Sequence, residues 1–528
     1  ITVQVEKAVE VEKKVVETVV VEKEVPVEKK VVETVIVEKE VPVEKEASEI
    51  TIVLEERFEN MDAHNHNGLS AYLLFKNIYG TLVDRDPEGN IIPNLATEWK
   101  AVEPTLWEFK LRQGVKFANG EPWDAKSAKA SVDRLVSTGS WGTQRQFGLW
   151  RNLEGAEIVD DYTIHIRTKV PMGAILNNLT MGFMMPASII AKHPTDPITD
   201  PSEVVGTGPY QLMKWVAGQS ATLEINPEYW GEPKPQIDRV DFHTILEPAT
   251  RIAALQAGDA HISWSLQPPE AVDQLRNDPN LQIHDIESLR VMWMAFGLPR
   301  EPFSDIKMRE AAQRAVDFDL ICDTVLQGVG KCGTFHVTPG CFGVKTDLDP
   351  EVIAHDPDRS KELLAEAGYA PGDGPEVRFI SIVGGPTQVC EAIFDQWEAV
   401  GFKPRLDLME VGDYITVRNE GNFDIFANGF TCMTGDCDFI LPVMYYTGIS
   451  KHHYSNPKVD ELLDQAAAET DQAKRLELYG QAQEIIWNDR ADFWHYQAII
   501  PIGSQKTVGG FVARPDNLLP LEYLYLIK

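Results

Sequence analysis

Positive charge is scarce in this sequence: 49 lysines and arginines stand against 81 aspartates and glutamates, a formal net charge of −32 over 528 residues. A chain so acidic repels phosphate backbones, which excludes nucleic acid as a partner and leaves solubility as the plain reading of the surplus. Long apolar runs are also missing. Those present are strand-sized, far short of the roughly 20 residues a membrane-spanning helix needs. There is no G-x-S-x-G elbow, no H-E-x-x-H, no Walker loop and no C-x-x-C pair. A hydrolase therefore has nothing to single out one acid/base pair among so many carboxylates, and no catalytic residue is expected. The chain opens at Ile1 without a start methionine or an apolar h-region, so a removed secretory signal is expected, with a lipid anchor upstream of Ile1 as a further expectation.

What is present is ordinary globular material behind an unusual leader. A hydrophobic fraction of 43% suffices for a large core, and the length favours two or three domains. Residues 12–27 read EKKVVETVVVEKEVPV, and 28–43 repeat them with one change, Val20 to Ile36. Valine alternates loosely with Glu and Lys, aromatics are absent, and Pro26 and Pro42 recur. Such a segment has strand propensity but nothing to pack against, so 1–46 reads as an extended, disordered spacer. The valines and prolines oppose a long coiled coil.

The six cysteines all fall between 322 and 437. Cys332/Cys341 and Cys432/Cys437 are spaced to close short loops in an oxidising compartment; the alternative is buried free thiols.

From residue 49 the texture is that of strands and helices. The segment 50–65 gives a strand and a polar loop, and 78–100 gives strands joined at a Pro-Glu-Gly turn. A helix is predicted from near Trp123 with Asp124 as its N-cap. Trp99, Trp107, Phe109 and Phe117 read as core aromatics, and Asp84, Asp86 and Gly89 as a hairpin turn rather than a calcium loop. Gly206 and Gly208 are expected to permit a tight turn, with Tyr210 packed beneath it.

These segments, followed by GTGPYQL (206–212), NPEYWG (226–231), RIAALQAGDAHI (251–262), FSDIKMREAAQRAVDFD (303–319), DPDRSKELLAEAGY (356–369) and the helical stretch 454–486, resemble the extracellular solute-binding proteins of ABC importers, the dipeptide-, oligopeptide- and nickel-binding class known as family 5. The resemblance spans nearly all of 50–528. It implies an α/β, two-lobed periplasmic-binding-protein fold with a hinge and a deep interlobe cleft. Lobe one would hold 47–264 and 491–528, and lobe two 265–490. It also implies an extracytoplasmic monomer, periplasmic or at the cell surface, that hands a small solute to ABC importer permease subunits. Placing every cysteine in one exported lobe favours disulfides.

For the cleft, the expected ligand-binding residues are Arg57, Trp264, Arg290, Trp293, Phe430, Met433, Asp436, Trp494 and Tyr496. In peptide-binding relatives an aspartate after a tryptophan-bearing strand pairs with the peptide amine. Here Phe430 stands in the tryptophan's place and Met433 in the aspartate's, with Asp436 a substitute only if the loop is remodelled, for instance by a Cys432–Cys437 bridge. Losing that carboxylate would cost about 2–5 kcal/mol for a free amine. A blocked peptide, a sugar or an alkaloid-like molecule then fits the aromatic faces as well as a peptide does. No cofactor or metal is expected, because His64, His66, His452 and His453 read as exposed loop histidines without a third ligand.

Overall fold

The structure, a computed structural model, describes residues 18–20, 34–36, 47–58, 60–66, 68–141 and 148–527. Contacts divide the chain into two units, 1–48 and 49–528. In the first, Thr18–Val20 and Thr34–Ile36, the same positions of the two repeat copies, pair antiparallel. The expectation of disorder across 1–46 otherwise lies outside the described residues.

The body is organised by one mixed sheet. Its strands run in the order Tyr210–Val216, Ser220–Ile225, Arg239–Thr244, Glu49–Leu54, Ile262–Ser263, Asp492–Gln505, Leu281–Phe296, Ile425–Thr431, Glu376–Ile382, Lys403–Met409. Two of these are long, with 16 residues in Leu281–Phe296 and 14 in Asp492–Gln505. At roughly 3.3 Å per residue the first extends about 50 Å, enough to serve two lobes in succession. They pair antiparallel from Leu281↔Gln505 to Ala295↔Asp492, and the register breaks between Glu287 and Val291.

That break divides the cores. On one side a large apolar cluster takes Ile52, Phe109, Trp123, Tyr210 and Ile262 together with Leu519 and Leu524. On the other, Phe296, Phe379, Trp397 and Phe493 form one cluster, and Trp293, Phe426, Ile440 and Tyr445 another. The bulge itself is stitched by polar side chains: Ser288 Oγ donates to Ala498 O at 2.7 Å, and Gln497 Nε2 donates to Ser288 O at 2.9 Å. A bulge twists and bends a strand locally. Here side chains satisfy backbone groups that the bulge frees from the ladder.

Caps and turns stand where the local sequence signals put them. Asp124 Oδ1 accepts from Lys126 N and Ser127 N at the start of helix Ala125–Trp141. Val83–Arg85 and Ile91–Pro93 form the hairpin around Gly89, at φ 90°. Gly206 and Gly208 lead through a bend at 207–209 into strand Tyr210–Val216, as expected. A Cβ on Gly206 would stand 2.0 Å from Ile78 O, so close backbone approach, and not a positive φ, demands glycine.

Three corrections concern sulfur and imidazole. Cys322 and Cys332 form a disulfide, while Cys341, Cys390, Cys432 and Cys437 are buried free thiols. The expected Cys332–Cys341 pair is split because Cys332 packs on one core cluster of the second lobe and Cys341 within the other. The expected Cys432–Cys437 loop is instead threaded by backbone: Phe342 N donates to Gly435 O, Cys437 N donates to Phe342 O, and Cys432 Sγ donates to Asp436 O. His64, His66 and His452 are not exposed loop residues but are essentially fully buried.

Candidate ligand cleft

Between the two core regions lies a cleft of about 1040 Å³, slightly above the roughly 300–1,000 Å³ scale of small-solute sites. Of the nine expected residues, Arg57, Trp264, Arg290, Phe430 and Tyr496 line it. Strand alternation explains why Trp293 does not. Arg290 and Met292 face the cleft, so Val291 and Trp293 face the opposite side. There Trp293 Nε1 donates to Asp492 Oδ1 at 2.6 Å.

Met433, Asp436 and Trp494 are likewise placed elsewhere. Met433 is buried in the core cluster of the first lobe. Trp494 stacks on Phe318, centroids 4.9 Å apart. Asp436 is 1% exposed and accepts from both terminal nitrogens of Arg475, at 3.0 and 2.9 Å, while also capping helix Cys437–Tyr445. A carboxylate so saturated cannot receive a ligand amine, so Asp436 does not stand in for the carboxylate missing at Met433.

The sequence reading missed Glu55, Glu56 and Arg251, all of which line the cleft. The signal was available: Glu55-Glu56-Arg57 follows the C-terminal end of strand Glu49–Leu54, where α/β sheets present their ligand residues. Arg251 is used up by structure, donating to Ile245 O, Leu246 O and Ser265 O at 2.8–3.0 Å. Glu56 accepts from Ser70 N in the first turn of helix Leu69–Ile78. Enclosure by protein raises the pKa of Glu55 against the opposing pull of Ser265, Arg251 and Arg290, yet 41% of its side chain remains open to the cavity.

Arg57 and Arg290 differ from these. Among the described residues neither guanidinium has a hydrogen-bond or ion-pair partner, and burial draws the pKa of Arg290 down. The sheet edge beside Arg290 is also open. Ile425–Thr431 is paired to Glu376–Ile382 only at Ile425 and Phe426, whereas its other edge is bonded to Arg290–Phe296 throughout. Asn428, Gly429, Phe430 and Thr431 thus bring backbone to the cleft wall. Finally, Cys322–Cys332 brackets Val325, Leu326 and Val329, which line the cleft from a third direction.

A hinged pair of α/β lobes around a cleft with open charges and an open strand edge defines a binding protein of the periplasmic type. Residues 90–452 match the family described as bacterial extracellular solute-binding proteins, family 5, and the chain belongs to that family. It is accordingly an extracytoplasmic solute-binding protein of the transport class. Among its relatives, the glutathione-binding protein GsiB of Pectobacterium atrosepticum is 26% identical over 483 residues, 88% of this chain and 91% of that protein. Among solved structures, NikA from Brucella suis in complex with Fe(III)-EDTA superposes with a TM-score of 0.81 at 22% identity, over 91% of this chain and 100% of that one. DppA from Helicobacter pylori in complex with the peptide STSA gives 0.76 at 23%, over 91% and 98%. The structural likenesses speak to the fold.

Proposed function

We propose that this protein captures a peptide or peptide-like solute carrying at least one carboxylate, closes on it, and delivers it to the permease of an ABC importer without chemical change. The observation that carries this reading is Arg290: a guanidinium drawn into the cleft without a partner among the described residues, next to residues 428–431, whose outer edge is paired to no strand. An anionic group answers the first feature and an extended amide backbone the second, as in strand addition. Glu55 offers the complementary charge for an amine, which restores free-amine peptides as candidates despite Met433. The relatives named as glutathione- and peptide-binding are consistent with such a ligand.

In this reading lobe one is 47–264 with 491–528 and lobe two is 265–490, the protein acts as a monomer, and the repeated segment 12–43 spaces the body from a membrane attachment. Arg57, Trp264, Arg290, Phe430 and Tyr496 touch the ligand. The test is a thermal-shift panel of tripeptides with free or amidated C-termini, glutathione and neutral oligosaccharides, with native mass spectrometry of the freshly purified protein for retained cargo. Stabilisation by free acids and not by their amides is expected. Stabilisation by neutral sugars alone, or turnover of any ligand, would overturn the proposal.

A further inference from the structure

Away from the cleft, the core of the second lobe holds a carboxylate in an unusual setting. Asp492 is buried, and among the described residues no lysine or arginine approaches within ion-pair distance; its neighbours are His336, His452, His495, Tyr445 and Trp293. Buried charges are normally paired or bound to a metal. We propose that His336 Nδ1, His495 Nε2, Asp492 Oδ2 and Tyr445 Oη form a closed four-ligand site for a divalent transition-metal ion of the zinc class.

The distances fit. Four donors at 2.0–2.1 Å from a tetrahedral zinc lie about 3.3 Å from one another. Asp492 Oδ2 is 3.3 Å from His336 Nδ1 and 3.5 Å from His495 Nε2, and Tyr445 Oη is 3.1 and 3.4 Å from the same two nitrogens. One ligand atom from each of His336, Asp492 and His495 can be chosen so that all lie within 4.8 Å of one another. The one short edge, 2.6 Å between Tyr445 Oη and Asp492 Oδ2, is a hydrogen bond whose proton the metal would replace.

The surroundings are built as second shells are built. His336 Nε2 contacts Gln483 O at 3.2 Å, which places the N–H on that nitrogen and leaves the Nδ1 lone pair facing the cluster. Trp293 Nε1 holds the other carboxylate oxygen, Oδ1. His452, fully buried, directs an unpartnered Nε2 to 3.8 Å from that same Oδ1.

The charges close as well. Binding releases the Tyr445 phenolic proton to solvent, and a dication with one carboxylate, one phenolate and two neutral imidazoles leaves the buried site neutral. With all four donors supplied by protein and none of the side chains exposed, the ion would be resident and structural, tying segments around 336, 445 and 492–495 together, and not transported cargo.

The experiment equilibrates the full chain with zinc chloride, desalts it, and measures bound zinc and the near-ultraviolet tyrosinate difference spectrum. One zinc per chain, a tyrosinate band and a melting temperature that falls on chelation are expected. Tyr445→Phe should abolish the band and weaken retention by tenfold or more, as should His495→Gln in retention if it folds. Absence of retained zinc in the wild type, retention without a tyrosinate band, or undiminished retention in a folded His336→Gln/His495→Gln variant would each overturn the site. The wild-type spectrum decides the matter if the histidine variants do not fold.

Discussion

Arg85 donates from Nη2 to the main-chain carbonyl of Met433 at 2.7 Å, a buried hydrogen bond between residues 348 positions apart in sequence. Two more contacts run alongside it: Asn177 Nδ2 donates to Thr434 O at 3.2 Å and Gly173 N to Ala467 O at 2.8 Å. The segment 433–434 is thus tied through its carbonyls to Arg85 and Asn177, and the Met433 side chain packs in the large apolar cluster with Ile52 and Phe109, where an amine-binding carboxylate was sought.

Arg85 does not line the cleft, so Arg85→Ala leaves the ligand contacts in place while removing its bonds to Met433 O and to Thr180 Oγ1. A hydrogen bond from a charged donor contributes about 1.5–3 kcal/mol, and its loss shifts the open–closed equilibrium by that amount. Ligand affinity should fall about tenfold or more. Titration calorimetry checks the affinity, and small-angle scattering should show a more open unliganded state.

Arg290 tests recognition itself. Arg290→Gln keeps a polar side chain but removes the charge, and affinity for a carboxylate-bearing ligand should fall by about 2–5 kcal/mol while the C-terminal amide of the same peptide is barely affected. Equal losses for acid and amide would show that Arg290 shapes the cleft without binding the anion.

How far the sequence could be read follows a physical divide. Hydrophobic alternation, caps and turn residues report on local structure, and they gave the hairpin at Gly89 and the cap at Asp124. The cleft depends on which face of a strand survives to the surface once two distant strands have paired. Arg290 and Trp293 are three residues apart, an odd spacing that puts them on opposite faces, and nothing nearby in sequence says which face meets the other lobe. Asp436 was misplaced for a related reason: its partner Arg475 is 39 residues away and contributes no local signal. The buried histidines were misread because a polar loop sequence says nothing of the lobe packed over it.

His64 makes that misreading measurable. Burial, with Arg134 nearby, lowers its pKa from 6.5 to about 3, while Nε2 is held against Phe183 O at 2.7 Å. The unfolded chain binds this proton below pH 6.5 and the folded one resists it until about pH 3. Stability is therefore complete above the unfolded value and is lost progressively as pH falls through that window. Two pH units below the unfolded value the loss is about 2.7 kcal/mol. Urea denaturation between neutral and acid pH should show this slope, and His64→Gln should flatten it at some cost in stability at neutral pH.

The thiols make a chemical prediction. Burial raises Cys390 to about 12 and raises Cys432 and Cys437 well above the ordinary thiol range. Only thiolates alkylate at useful rates. Iodoacetamide should therefore label none of the six cysteines in the native protein, four after denaturation, and six after denaturation with reduction. Labelling of only two after denaturation would reveal a second bridge, for which Cys341 and Cys432, in hydrogen-bond contact, are the pair to examine.

Gly206 separates two explanations for a glycine. If conformational freedom were its role, an asparagine would be tolerated about as well as any residue can be at positive φ. Its backbone is not in that region, and a Cβ would meet Ile78 O at 2.0 Å and Tyr79 Cα at 2.8 Å, both main-chain atoms that cannot rotate aside. Gly206→Ala should thus cost about 3 kcal/mol, at the upper end of overpacking losses, and Gly206→Asn at least as much. The strand that follows, Tyr210–Val216, hangs on the same contact through Gly208 N donating to Ile78 O at 2.8 Å. Amide exchange in both variants should therefore quicken first in 206–212 and in the end of helix Leu69–Ile78, leaving the second lobe protected.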